Sequence, residues 1–161
     1  MLTESQKGRI AQDLLGLTCV IGSLGKINVA LPNVDDEAVD VVFYLRAASG
    51  KALFAQVKSR WISSVGIRKG VFRTQIRRAT FKPRDNYAVI MVTCDQDKLG
   101  LGEILWVIPS LDFANLTLNQ HSATRLVFQS RFGSSDMWEK YRLRLKDLPD
   151  RIVELLGEQR L

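Results

Sequence analysis

The stretch "FAQVKSRW", residues 54–61, is a short apolar run that carries a glutamine and a lysine two positions apart. Side chains alternate across a strand, so Gln56 and Lys58 project to one side while Ala55 and Val57 project to the other. One face is apolar and the other polar. Taken alone, this is a strand with one wet face, and its neighbours decide whether that face carries chemistry.

Just upstream, "NVDDEAVDVVFYL" begins as an acidic loop and becomes a strand over 39–45; "AASGK" is a turn, and "ALFAQVKSR" is the next strand. Asp40 stands among Val39, Val41, Val42 and Phe43. A carboxylate in such a run stays charged only with a partner, either a metal or a lysine. Pairing of the two strands through the turn brings Asp40 close to Gln56 and Lys58. The plain alternative is an Asp40–Lys58 salt bridge.

Further out, residues 4–16 and the residue that follows place Ile10, Leu14 and Leu17 at helical spacing beside Ala11 and Leu15, a helix with one buried face and Gly16 as terminator. "TCVIGSLGKINVALP" (18–32) reads as two short β-runs closed by Pro32. In the segment 63–86, Arg73 and Arg77 lie four apart beside Phe72, Ile76 and Ala79, which predicts a helix over 70–80. "YAVIMVTC" (87–94) and "EILWVIP" (103–109) are strands apolar enough to be buried on both faces. "SSDMWEKYRLRLKDL" (134–148), capped by Ser135, and "PDRIVELLGEQ" (149–159), started by Pro149, close the chain as helices. The expectation is an α/β fold in one domain over 1–161, a mixed sheet flanked by helices.

Composition narrows the function classes. With 46% hydrophobic and 25% charged residues, the 161-residue chain sits in the globular range. No leader and no apolar run near the roughly 18 residues of a membrane span is visible, so the expected location is cytoplasmic. Cys19 and Cys94 lie among apolar residues and read as reduced core thiols. His121 is the one histidine, in a loop-like stretch, which argues against zinc sites and histidine triads. That leaves carboxylates, lysine and a hard metal as the chemistry on offer.

The net charge of +6 is local. Residues 58–84 hold nine lysines and arginines and no acid, so the rest of the chain is net acidic. An acid-free basic block is a footprint of phosphate-backbone binding, and Arg60, Arg68, Lys69, Arg73, Arg77 and Arg78 are its candidate contacts. A solvated basic face is the bland reading of the same block. Trp61 is assigned to packing in preference to base stacking, and Trp106 and Trp138 to the core.

A helix carrying "KGRIAQ", then "AVDVVFYL", "FAQVKSR" and "ILWVIPSLDF", in that order and spacing over residues 7–113, resembles the PD-(D/E)xK nuclease superfamily, in particular its Mrr-like and other bacterial branches with a "QVK" third motif. The resemblance implies a restriction endonuclease-like three-layer α/β/α fold and metal-dependent hydrolysis of phosphodiester bonds in DNA, with RNA an open alternative. It also implies Mg²⁺ or Mn²⁺ held by Asp40, by Gln56 at the second ligand position and by the Val57 carbonyl. Lys58 then positions or activates water, and Gln12 occupies the place of the first-helix acid.

Two departures matter: Gln12 and Gln56 are amides where the superfamily usually has acids. Glu4, Asp13, Asp35, Asp36 and Glu37 are the nearby substitutes, Asp36 first among them. The runner-up is therefore a catalytically impaired nuclease-fold protein that binds nucleic acid or a protein partner. A homodimer would suit cutting of both strands.

Overall fold

The computed structural model describes residues 2–32, 38–46 and 50–157. Helix α1 (Glu4–Gly22) opens on a capping box. The Gln6 N–H donates to Thr3 Oγ1 at 3.2 Å, and the Thr3 N–H donates to Gln6 Oε1 at 2.9 Å. A meander of β1 (Ile27–Ala30), β2 (Val41–Leu45) and β3 (Ala52–Trp61) follows. A single turn of helix, α2 (Val65–Arg68), leads into β4 (Val71–Arg77). Strands β5 (Tyr87–Asp95), β6 (Gly100–Leu101) and β7 (Ile104–Pro109) come next, then α3 (Ser110–Leu116), β8 (Arg125–Arg131), β9 (Arg142–Arg144) and α4 (Leu148–Leu155).

Most strands join one mixed sheet in the order β1-β2-β3-β5-β7-β9, with β6 paired to β5. The β3–β5 pair is parallel and its neighbours are antiparallel. One face buries Val41, Phe43, Ala55, Val57 and Ile90 against α1 and α4. The opposite face buries Val89, Met91 and Trp106 under α3 and a separate two-stranded sheet, β4–β8. The architecture is the expected mixed α/β one, with a central sheet and flanking helices. Among the described residues, no helix is long and apolar enough to cross a membrane.

Three local expectations are corrected. Helix α1 does not stop at Gly16, and the first expected β-run at 18–32 is its last turns. Gly16 is there for close approach: a Cβ at that position would lie 3.2 Å from Val29 Cγ1. Residues 71–77 form a strand, where the spacing predicted a helix over 70–80. Phe72, Thr74 and Ile76 are buried while Arg73, Gln75 and Arg77 are exposed, the period of two that pairing with β8 requires. The segment 134–148 breaks into a 3₁₀ turn (Glu139–Tyr141), β9 and a second 3₁₀ turn (Leu145–Asp147). Ser135 is no cap: its hydroxyl donates to Glu139 Oε2 at 2.7 Å. Pro149 does stand in the first turn of α4.

Candidate functional site

The meander ends unevenly, and that unevenness builds the site. Register pairs Val41 with Ala55, and Asp40, one residue before β2, still donates its backbone N–H to the Ala55 carbonyl at 2.8 Å. Asp40 therefore precedes the strand in which it was expected. Beyond Ala55 the β2 backbone no longer pairs with β3, and the Asp40 side chain takes over. Asp40 Oδ2 accepts the Val57 N–H at 2.6 Å, a short charge-assisted bond. N–H and C=O of one strand residue point to the same edge, so the Val57 carbonyl projects from the edge at which Asp40 sits. Upstream, Tyr87 Oη donates to the Ala38 carbonyl at 2.9 Å. This bond ties the approach to Asp40 onto the central strand.

A cleft of about 420 Å³ opens at this point. Gln12, Asp40, Val57, Lys58 and Arg60 all line it. Its other wall is one stripe of α1: Glu4, Gly8 and Gln12 stand four residues apart, which puts them on one helix face. Nothing lies within 4 Å of a Cβ placed on Gly8, so the wall is low there. Lys7 pairs with Glu4 at 2.7 Å, and this contact holds the Glu4 carboxylate below its ordinary pKa, with Arg60 adding to the effect. Glu4 is the one substitute acid that reaches the cleft among the described residues. Asp13 pairs with Arg9 at 3.4 Å on the helix surface, and Asp35, Asp36 and Glu37 lie outside the described residues.

Gln56 is placed differently. It is only 5% exposed, does not line the cleft, and buries its Oε1 without a hydrogen-bond partner. Continuing the Val41–Ala55 register puts it opposite Asp40. The Asp40 carboxylate and the β3 edge at Val57 thus meet at the cleft, while Gln56, with its orphaned amide oxygen, stands opposite Asp40 in register but off the cleft wall. Among the described residues, no three His, Cys, Asp or Glu side chains cluster as a metal site. Such a donor set still fits a Mg²⁺-like ion, which commonly binds through one or two carboxylates, keeps several waters and shares substrate phosphate oxygens.

The basic residues divide into groups. Arg60 donates from Nε to the Arg73 carbonyl at 2.9 Å, linking the cleft to β4. Arg68 and Lys69 are exposed around α2, and Arg73 and Arg77 are exposed on β4. The Arg78 guanidinium braces a loop, donating to the Ser122 and Gln120 carbonyls, each at 2.7 Å. The sequence reading passed over β8, whose Arg125, Gln129 and Arg131 share the exposed face with β4. A signal was present: "RLVFQSR" alternates with period two, and residues 113–135 contain no acid. Trp106 and Trp138 are core, as read; Trp61 is half-buried at the cleft. A larger cleft, about 580 Å³, lies elsewhere, lined by Lys140, Arg142, Arg151 and Glu154 among others. Within its wall Arg151 pairs with Glu154 at 2.8 Å.

No protein-family model matches the chain, and no curated protein matches its sequence. Among solved structures, the chain is similar to a bacterial homing endonuclease, I-Ssp6803I, with a TM-score of 0.53 and 20% identity over 88% of each chain. At that identity the likeness establishes the fold.

Proposed function

We propose that the protein is a metal-dependent DNA nuclease of the PD-(D/E)xK type. The observation that carries the reading is the Asp40 carboxylate held at 2.6 Å by the Val57 N–H, in one cleft with Lys58 and Arg60. The fold shared with a homing endonuclease supports it. Asp40, the Val57 carbonyl and the Gln56 amide oxygen are the groups that would hold Mg²⁺ or Mn²⁺. The chemistry such an ion supplies when bound is neutralisation of phosphate charge and acidification of water. Lys58 orients the attacking water and balances charge that develops on the phosphoryl oxygens. Arg60 and Lys7, on the cleft wall, hold the flanking phosphates. Asp40, already fixed by the strand edge, loses no freedom when it engages a ligand.

Purified protein would be assayed on labelled linear, nicked and branched DNA with Mg²⁺, with Mn²⁺ and with EDTA. Cutting in either metal that EDTA, Asp40→Asn and Lys58→Ala each abolish is the expected result. A second reading has its own observation, the amides at Gln12 and Gln56 that leave Asp40 and Glu4 as the acids of the cleft among the described residues. In that reading the protein binds DNA and cuts nothing in any metal.

A further inference from the structure

The exposed face of the β4–β8 sheet has a composition that folding alone does not call for. Register sets Arg73 opposite Gln129, Gln75 opposite Val127 and Arg77 opposite Arg125. Arg73, Gln75, Arg77, Arg125 and Gln129 are exposed, and no acid lies on either strand. Like charges directly across a sheet, as at Arg77 and Arg125, are unfavourable without a counter-ion. Among the described residues, none of these arginines has a salt bridge.

The ribbon is held rigidly from below and from both edges. Phe72, Phe128, Trp106 and Trp138 pack under it, with Trp106 and Phe128 ring centroids 5.4 Å apart. The Gln120 side chain pairs with the β8 edge: the Val127 N–H donates to its Oε1 at 2.6 Å, and its Nε2 donates to the Val127 carbonyl at 2.8 Å. On the β4 edge, Arg60 holds the Arg73 carbonyl. A second groove, lined by Arg60, Ser64, Arg73 and Gln129, shares Arg60 and Ser64 with the candidate active cleft. The surface is continuous from Asp40 to the ribbon.

We propose that the β4–β8 ribbon enters the major groove of a B-form DNA duplex and reads base edges there, a role that rests on the nuclease reading of the adjoining cleft. A two-stranded ribbon fits that groove, Arg pairs bidentately with guanine and Gln with adenine, and a half-buried Val127 suits a thymine methyl. Same-face residues recur about every 6.8 Å along a strand, two base-pair steps of about 3.4 Å. The deep, narrow major groove of A-form RNA does not admit such an element. Gln75 and Gln129 are assigned to base contacts; Arg77 and Arg125 face base edges or phosphates on either side.

The test is enrichment of sequences from a random duplex library by the wild-type chain in EDTA, followed by anisotropy titrations of the enriched and a scrambled duplex. Wild type is expected to enrich a sequence. Gln75→Ala, on an exposed position, should relax the preference at one or two base pairs by about 5- to 100-fold while changing scrambled-duplex binding little. Arg77→Ala and Arg125→Ala should weaken binding and reduce the salt slope by about one each where they meet phosphate. Ribbon variants that bind and discriminate like wild type would overturn the proposal, as would no enrichment, or equal binding of duplex RNA. Cleavage in Mg²⁺ is scored separately. Altered preference without any cutting keeps the ribbon's role and removes the nuclease; cutting with unaltered preference does the reverse.

Discussion

Asp40 owes its position to a hydrogen bond that replaces a missing strand partner, and Gln56 owes its importance to one it lacks. Replacing Gln56 by Glu puts a second carboxylate in a buried place opposite Asp40, at a cost of about 3 kcal/mol without a counter-charge. In a chain of this size that lowers Tm by roughly 6–12 °C in EDTA. If Gln56 stands at the proposed metal site, Mg²⁺ should raise the Tm of Gln56→Glu markedly more than that of wild type; equal responses would remove Gln56 from the proposal. The thiols titrate on their own scale. Burial pushes Cys19 up to about 12 and Cys94 up to about 11, from 9.0. Unfolded thiols lose protons first, so the stability from neutral buried thiols is whole below pH 9 and falls as pH climbs towards 11–12. Urea midpoints at pH 8 and pH 10 should show this fall, and Cys19→Ala should flatten it. That Asp40 meets β3 at Val57 and Lys58 was legible because consecutive strands with few residues between them pair antiparallel. The buried state of Gln56 was not, since no local pattern tells which polar strand residue a neighbouring layer covers.

The elements differ in how plainly their period was written. Strands β5 and β7 are near-continuous apolar runs, and Pro149 marks α4. Residues 71–77 misled because a spacing of four satisfies a helix face and a strand face alike; Gln75 between Arg73 and Arg77 was the discriminating residue. The end of α1 misled because Gly16 reads as a terminator but serves close approach to Val29, and Leu17, expected on the buried face, is 57% exposed. Glycines in α1 give a paired prediction. Gly8→Ala, with open space at its Cβ, should stabilise by about 0.5–1 kcal/mol through helix propensity. Gly22→Ala should destabilise by about 1–3 kcal/mol, because its Cβ would sit 2.6 Å from Pro149 Cγ and push α1 from α4. Thermal melts of both variants check the opposite signs.

At the scale of the molecule, the acid-free stretches 58–84 and 113–135 converge on one surface, the ribbon and the cleft beside it, although the sequence separates them. The long-range pairing of β4 with β8 joins them, with Arg78 bonded to the Gln120 and Ser122 carbonyls beside it, and pairing partners are not written in local spacing. Binding of DNA through this surface should fall steeply with salt, log K against log salt having a slope of about −0.9 per phosphate contacted. Titrations between 50 and 200 mM salt, reckoned on that relation, measure the contact number directly. The central claim is the cleft, and its most direct measurement is single-turnover cleavage of duplex DNA by wild type and Asp40→Asn, with binding measured in parallel in the same metal. The account predicts that Asp40→Asn binds DNA within a few-fold of wild type and cuts at least about 10²–10³-fold more slowly, the scale of losing a directly acting group. Equal cutting by the two proteins would contradict it, because chemistry would then not depend on the carboxylate around which the site is built.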